Sequence, residues 1–214
     1  MVIAGSGPSL KEIEPEGDIF AIGGAHIWLL ENGIVPHAWM NADPLPLVAK
    51  NVEKPHRDVT YYIVSHAHPF VFENLKDHNV IVWHSEAEAG TADVVREFPL
   101  GRERIMVHGG PTGATRAPFL GHELGYRKFV YYGVDGSGGH TAPAFRVRDI
   151  YEVECGGETF EVPANFIHQA YAMKAILEHF HEWDIEIRGS GLMAALWRES
   201  RKPREDKGEH KIEL

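Results

Sequence analysis

An apolar triplet, Val2-Ile3-Ala4, runs directly into Gly5-Ser6-Gly7-Pro8-Ser9, and few architectures accept that junction. Two glycines allow a sharp reversal, and the proline removes a backbone donor, so the strand must stop there. Comparable junctions recur along the chain. Asp18-Ile19-Phe20-Ala21-Ile22 ends in Gly23-Gly24, and Ala38-Trp39-Met40 ends in Asn41-Ala42-Asp43-Pro44. Lys128-Phe129-Val130-Tyr131-Tyr132 ends in Gly133-Val134-Asp135. Further short strands are read at residues 61–64, 80–83 and 105–107, with helical stretches at 25–32, 69–77 and 112–124. Gly33 supplies a C-cap signal for the first helix, and Pro118 either kinks the third or marks its first turn.

Strands alternating with helices predict an α/β fold: a Rossmann-like, doubly wound, mainly parallel sheet with helices on both faces. The rhythm breaks between 136 and 163. Gly136-Ser137-Gly138-Gly139 is flexible, and 151–162 reads as a hairpin turning at Gly156-Gly157, a small insertion placed to act as a lid. A long helix over 164–182, a strand at 185–187 and a helix over 191–197 follow. Residues 1–199 are read as one domain and 200–214 as a charged, frayed tail.

The 214 residues are 43% hydrophobic and 24% charged, a soluble globular balance. A net charge of −10 argues against a broad grip on nucleic acid or anionic lipid, which needs clustered Lys and Arg. The single cysteine, Cys155, excludes an internal disulfide and reads as a small strand residue. No apolar run reaches the roughly 20 residues of a membrane span. With no basic leader at the start, a cytoplasmic protein is expected.

In open α/β sheets ligands bind at the carboxyl ends of strands, and the polar residues of this chain gather there. Gly5, Ser6, Gly7 and Ser9 follow the first strand, where backbone N–H groups and the next helix start can hold a phosphate. The turn is not a Walker motif, and Leu10 stands where a full Gly-x-Gly-x-x-Gly would place its last glycine. Gly23 ends the second strand. Asn41 and Asp43 end the third, where Asp43 suits a ribose hydroxyl, a base edge or Mg²⁺, or else an Asx turn before Pro44. Asp135 holds the same kind of place at another strand end. Thr112 and Gly113 begin a helix able to accept an anion, with Arg116 one turn on.

Fourteen histidines are present. His66 and His68 form a His-x-His pair without a nearby third ligand, and read as solvated loop residues. His140 lies on the expected lid. His168 opens the long helix and can take a proton near neutral pH. His179 and His181 suit that helix's C-terminal dipole.

The run from Val2 to Ile13 resembles the opening motif of the bacterial sialyltransferases of glycosyltransferase family 42. It equally resembles the MptE-like group, which holds 6-hydroxymethylpterin diphosphokinases and motility accessory factors. Thr112-Gly113, followed by Leu124-Gly125-Tyr126 and the strand ending in Gly133-Val134-Asp135, is similar to a second sialyltransferase block. Asn41-Ala42-Asp43-Pro44 resembles a strand end of both groups. The likeness covers roughly 1–45 and 109–198. It implies a nucleotide-activated small-molecule donor held by the first turn and by Thr112-Gly113, with His168 in the place of the sialyltransferase general base. Gly23-Gly24 departs from that pattern, which has a functional asparagine there. The lid tyrosines that hold the donor phosphate are not evident, although Tyr151 or His140 can substitute. The loop from Asp135 to His140 fits the MptE-like pattern.

Three readings result. The first is a transferase moving a sialic-acid-like glycosyl group from a CMP-sugar to a small-molecule or glycan acceptor, with no cofactor. The second is an ATP-dependent pyrophosphokinase using Mg²⁺ held by Asp43 or Asp135. The third is a non-catalytic nucleotide-binding protein. A homo-oligomer is compatible with each.

Overall fold

The computed structural model describes residues 1–86, 106–138 and 149–203. One sheet contains eight strands: β1 (Val2–Ala4), β2 (Ile19–Ile22), β3 (Ala38–Asn41), β4 (Thr60–Val64), β5 (Asn79–Ser85), β6 (Met106–Val107), β7 (Lys128–Tyr132) and β10 (Asp184–Ile187). Their order is β10-β7-β1-β2-β3-β4-β5-β6, and every neighbouring pair is parallel. β8 (Ile150–Cys155) and β9 (Glu158–Pro163) form a separate antiparallel hairpin. Gly156 and Gly157, at φ +64° and +83°, make its two-residue turn, a geometry that asks for glycine at both places. This is the Rossmann-like sheet with a small hairpin that the alternating pattern implied.

The helices are α1 (Ala25–Glu31), α2 (Pro69–Asn74), α3 (Gly113–Glu123), α4 (Ala164–His179) and α5 (Leu192–Ser200). Strands at the centre of the sheet are buried along their whole length, as in Val2-Ile3-Ala4 and Ala38-Trp39-Met40, because helices cover both faces. Pro118 lies inside α3 and the helix runs through it. The long helix stops at His179 rather than near 182. The chain turns there to dock Trp183, which stacks on Phe180 at 4.5 Å, meets Phe119 at 5.0 Å and donates to His122 Nδ1 at 2.9 Å.

α3 and α4 lie side by side in the same direction. A methyl on Gly110, just before α3, would touch Ala172 of α4, and further along the Phe119 and Phe180 rings meet at 5.0 Å. The first turns of α4 therefore extend past the start of α3 and overhang the carboxyl edge of the sheet.

One local expectation is corrected. The segment after Gly5–Gly7 is not an α-helix but a 3₁₀ turn of five residues, Pro8–Glu12. Pro15 disfavours helical geometry at Glu14, so the segment has no room to propagate. A second 3₁₀ segment, Pro46–Val52, follows β3.

α1 is fastened to that second segment through His26, which is fully buried. Its Nδ1 lies 2.9 Å from Asn51 O and its Nε2 3.3 Å from the Tyr61 hydroxyl, which also accepts from His56 N–H at 2.7 Å. Burial pushes the His26 pKa below the usual value, with nearby His56 acting in the same direction and the Asn51 carbonyl opposing. The unfolded chain therefore takes up this proton first as pH falls. His26's contribution to stability is complete above about 6.5 and is lost as pH drops from there towards the lowered native value. One proton limits the slope to about 1.4 kcal/mol per pH unit. Urea unfolding at pH 7.5 and 5.5 is expected to show less acid sensitivity for His26→Gln than for the natural chain.

Candidate functional site

A cleft of about 660 Å³ opens at the carboxyl ends of β1, β2, β3 and β7. Sheet order reverses between β1 and β7, and doubly wound sheets place their ligands at such a reversal. The volume suits a nucleotide-sized ligand.

Close backbone packing explains the glycines on the β1–β7 side. Gly5 N–H donates to Tyr132 O at 2.8 Å and Gly7 N–H to Gly133 O at 2.7 Å. Ser9 N–H donates to Asp135 Oδ2 at 3.1 Å, and Ser9 Oγ accepts from Gly133 N–H at 2.9 Å. A methyl on Gly7 would stand 2.2 Å from Asp135 Oδ2. The amides of Gly5, Gly7 and Ser9 are thus committed to the protein itself. Gly5, Ser6 and Gly7 line the cleft, whereas Ser9 is buried behind it. The first turn shapes the floor, and it does not present these three N–H groups to a ligand.

α3 supplies what the turn does not. Thr112 caps it, with Thr112 N–H donating to Thr115 Oγ1 at 3.2 Å and Thr115 Oγ1 donating back to Thr112 O at 3.0 Å. Thr112, Gly113 and Ala114 line the cleft, and the first N–H groups of a helix have no acceptor within it. With the helix dipole they form an anion-accepting pole. This pole and the Gly5–Gly7 turn converge on one space.

At the end of β3, Asn41 is buried and its side chain clasps the loop. Its Oδ1 accepts from Asp43 N–H at 2.8 Å, and its Nδ2 donates to Asp43 O at 3.1 Å. Asp43 Oδ1 accepts from Leu45 N–H at 2.8 Å, an Asx turn. Asp135 is buried at the β7 end, where its backbone carbonyl accepts from Met193 N–H of α5 at 3.1 Å. Both acids line the cleft, and among its described residues they are the two charged side chains. Gly23 lines it too, at φ +54°, and its carbonyl accepts from Trp39 Nε1 at 3.0 Å.

His168 is exposed and is not part of the lining, whereas Asn165, Phe166 and Gln169 on the overhang of α4 are. At 100° per residue its side chain leaves the helix well away from Gln169. His140 lies outside the described residues, as do parts of the expected lid and tail. His68 Nδ1 accepts from Phe70 N–H at 3.3 Å and so begins α2. His66 is exposed, its pKa lowered by partial burial and by the Arg116 cation. Arg116 donates to Ser85 Oγ.

The family description "6-hydroxymethylpterin diphosphokinase MptE-like" matches residues 1–138. The chain belongs to the MptE-like family. No curated protein matches this MptE-like chain. Among solved structures, a MAf glycosyltransferase from Magnetospirillum magneticum AMB-1 superposes with a TM-score of 0.66 at 17% identity. The alignment covers 93% of the MptE-like chain and 37% of the other, so the chain spans little more than a third of that protein's length. At this identity the likeness establishes the shared fold.

Several lining residues of the MptE-like chain were not singled out from sequence: Asn51, Leu45, Leu47, Val48, Asn165, Phe166 and Gln169. A signal existed for the last. Gln169, Met173 and Ile176 are the buried residues of α4, spaced four and three apart on one face. A glutamine in that stripe is a polar intruder.

Proposed function

We propose that this chain is a transferase that takes a nucleotide-activated donor in the cleft, leaving phosphate against the start of α3, and that it transfers a glycosyl group from a CMP-sugar. One observation carries the reading. The described lining joins the starts of α1, α3 and α4, partial positive charges only, to two carboxylates and no cationic side chain. That balance suits a donor with one phosphate and disfavours a bare triphosphate. Asn41 and Asp43 would orient the nucleoside. His168 would serve an acceptor entering along the exposed side of α4, with no cofactor required.

The same two acids favour a second reading. A divalent cation held near Asp43 and Asp135 would neutralise ATP for pyrophosphoryl transfer, the activity in the family's description. Asp43 accepts one backbone N–H on Oδ1, which leaves its second oxygen for a metal, whereas Asp135 accepts from Ser9 N–H on Oδ2 and packs Oδ1 against Gly189.

Thermal unfolding with CMP in EDTA, and with ATP plus Mg²⁺, separates the two. A ligand at a hundredfold excess over its Kd adds about 2.7 kcal/mol. Stabilisation by CMP in EDTA is expected, and stabilisation only by ATP with Mg²⁺ overturns the glycosyl reading. His168→Ala is expected to lower turnover by roughly 10² to 10⁴ with CMP affinity unchanged. Full turnover in that variant removes His168 from the mechanism.

A further inference from the structure

Arg116 lies outside the lining of the cleft, and among the described residues it has no counter-ion. It is partly buried, burial holds its pKa below the ordinary arginine value, and no described acid counters that shift. Its hydrogen bond to a described residue is the one it donates to Ser85 Oγ. Arginines withdrawn from water are normally paired with a carboxylate, because an uncompensated charge is costly there. The described acid nearest to Ser85 in sequence is committed elsewhere. Glu86 follows Ser85 directly, yet its Oε2 lies 2.9 Å from His108 Nε2 and its N–H donates to Val107 O at 3.1 Å.

The side chain is held at both ends. Gly109, at φ +124°, packs on its base so closely that a methyl there would stand 3.0 Å from Arg116 Cα and 3.1 Å from Cγ. At the other end Ser85, buried at the close of β5, fixes Nη1. Ser85 Oγ is the acceptor in that bond and keeps its own O–H as a donor. β5 is two strands from β3, a lateral offset of roughly 10 Å, so the guanidinium stands beside the cleft and beyond its Asp43 edge. Arg116 and Asp43 act in opposite directions on the pKa of His66, in the loop after β4, so the three lie within electrostatic reach.

We propose that Arg116 and Ser85 form a second oxyanion site on the carboxyl edge of the sheet, separate from the start of α3, which takes a carboxylate or a phosphate. A planar guanidinium offers parallel N–H donors that match two oxygens of either group, and it brings a full charge where a helix start brings a partial one. The oxyanion is either a second acidic group on the ligand of the cleft or a free anion. The chemistry is the same for both.

The test is titration of the whole chain with inorganic phosphate in EDTA at constant ionic strength, followed by proton–nitrogen NMR of the arginine Nε–H groups and the backbone amides. Saturable displacement of the Arg116 Nε–H signal, together with the Ser85 and Glu86 amides, is expected. Arg116→Gln should weaken phosphate binding at those amides roughly 10- to 100-fold. Arg116→Lys, which keeps the charge without the fork, should weaken it by less. The natural chain's own Arg116 signal decides the case if either variant folds poorly. Saturation confined to the Thr112–Ala114 amides, with the Arg116 signal unmoved, puts the ion on the helix start and overturns the proposal. Absence of any saturable shift overturns it too. Repeating the titration with CDP present tells the occupants apart, and both results uphold the site. Displacement of phosphate from Arg116 by CDP marks a subsite for the cleft's own ligand, and unchanged phosphate binding marks a free anion. The donor reading is not required: phosphate at Arg116 is expected whether or not CMP stabilises the chain.

Discussion

Gly133→Ala is expected to destabilise the protein by about 3 kcal/mol or more, enough to unfold a marginal domain. The new methyl would stand 2.1 Å from Gly5 O and 2.9 Å from Leu10 Cβ, on a residue already at φ +64°. Neither neighbour can give way, because Gly5 N–H is fixed to Tyr132 O and Gly133 N–H to Ser9 Oγ. Gly125→Ala provides the comparison. It shares a positive φ, +95°, but has nothing within 4 Å, so backbone conformation alone is charged, roughly 1–2 kcal/mol. Urea denaturation of both variants measures the difference. Similar losses in the two would mean that the β1–β7 contact is looser than its geometry implies.

Gly113→Asp should separate stability from binding. A side chain there meets Ile22 at 3.6 Å, ordinary contact, and an acid in the first turn of α3 gains about 0.3–1 kcal/mol from the helix dipole. The melting temperature should therefore hold or rise slightly. CMP affinity should fall 100-fold or more, because the carboxylate occupies the pole on which the phosphate would rest. Gly113→Ala, with the methyl and no charge, should leave both properties nearly unchanged. If Gly113→Asp binds CMP like the natural chain, the phosphate is not held at α3.

The fold was legible because strand and turn chemistry agree along the chain. Short apolar runs ending in glycine or in Asn-Ala-Asp-Pro leave little besides a parallel sheet, and the hairpin announced itself through Gly156-Gly157. The site was legible only as a set of strand ends. Gly5-Ser6-Gly7 reads the same whether its amides hold a phosphate or another strand's turn, and only the β7 register shows the second. Pro15, seven residues on from Pro8, was the available hint that no α-helix follows that turn. His168 and Gln169 are adjacent in sequence, and the choice between them depends on how α4 is rotated. That rotation is set by Met173 and Ile176 further along. Asn51 and the leucines at 45 and 47 reach the cleft through a 3₁₀ segment that has no periodic signature of its own.

The side-by-side course of α3 and α4 gives the molecule an adjustable rim. The eight-stranded floor comes almost entirely from residues before 138, while the rim is a separate stretch of backbone that enters after the hairpin. One turn added to or taken from the front of α4 would raise or lower it by about 5.4 Å and leave every strand in place. Selectivity in such a scaffold can be retuned by length as well as by side chain.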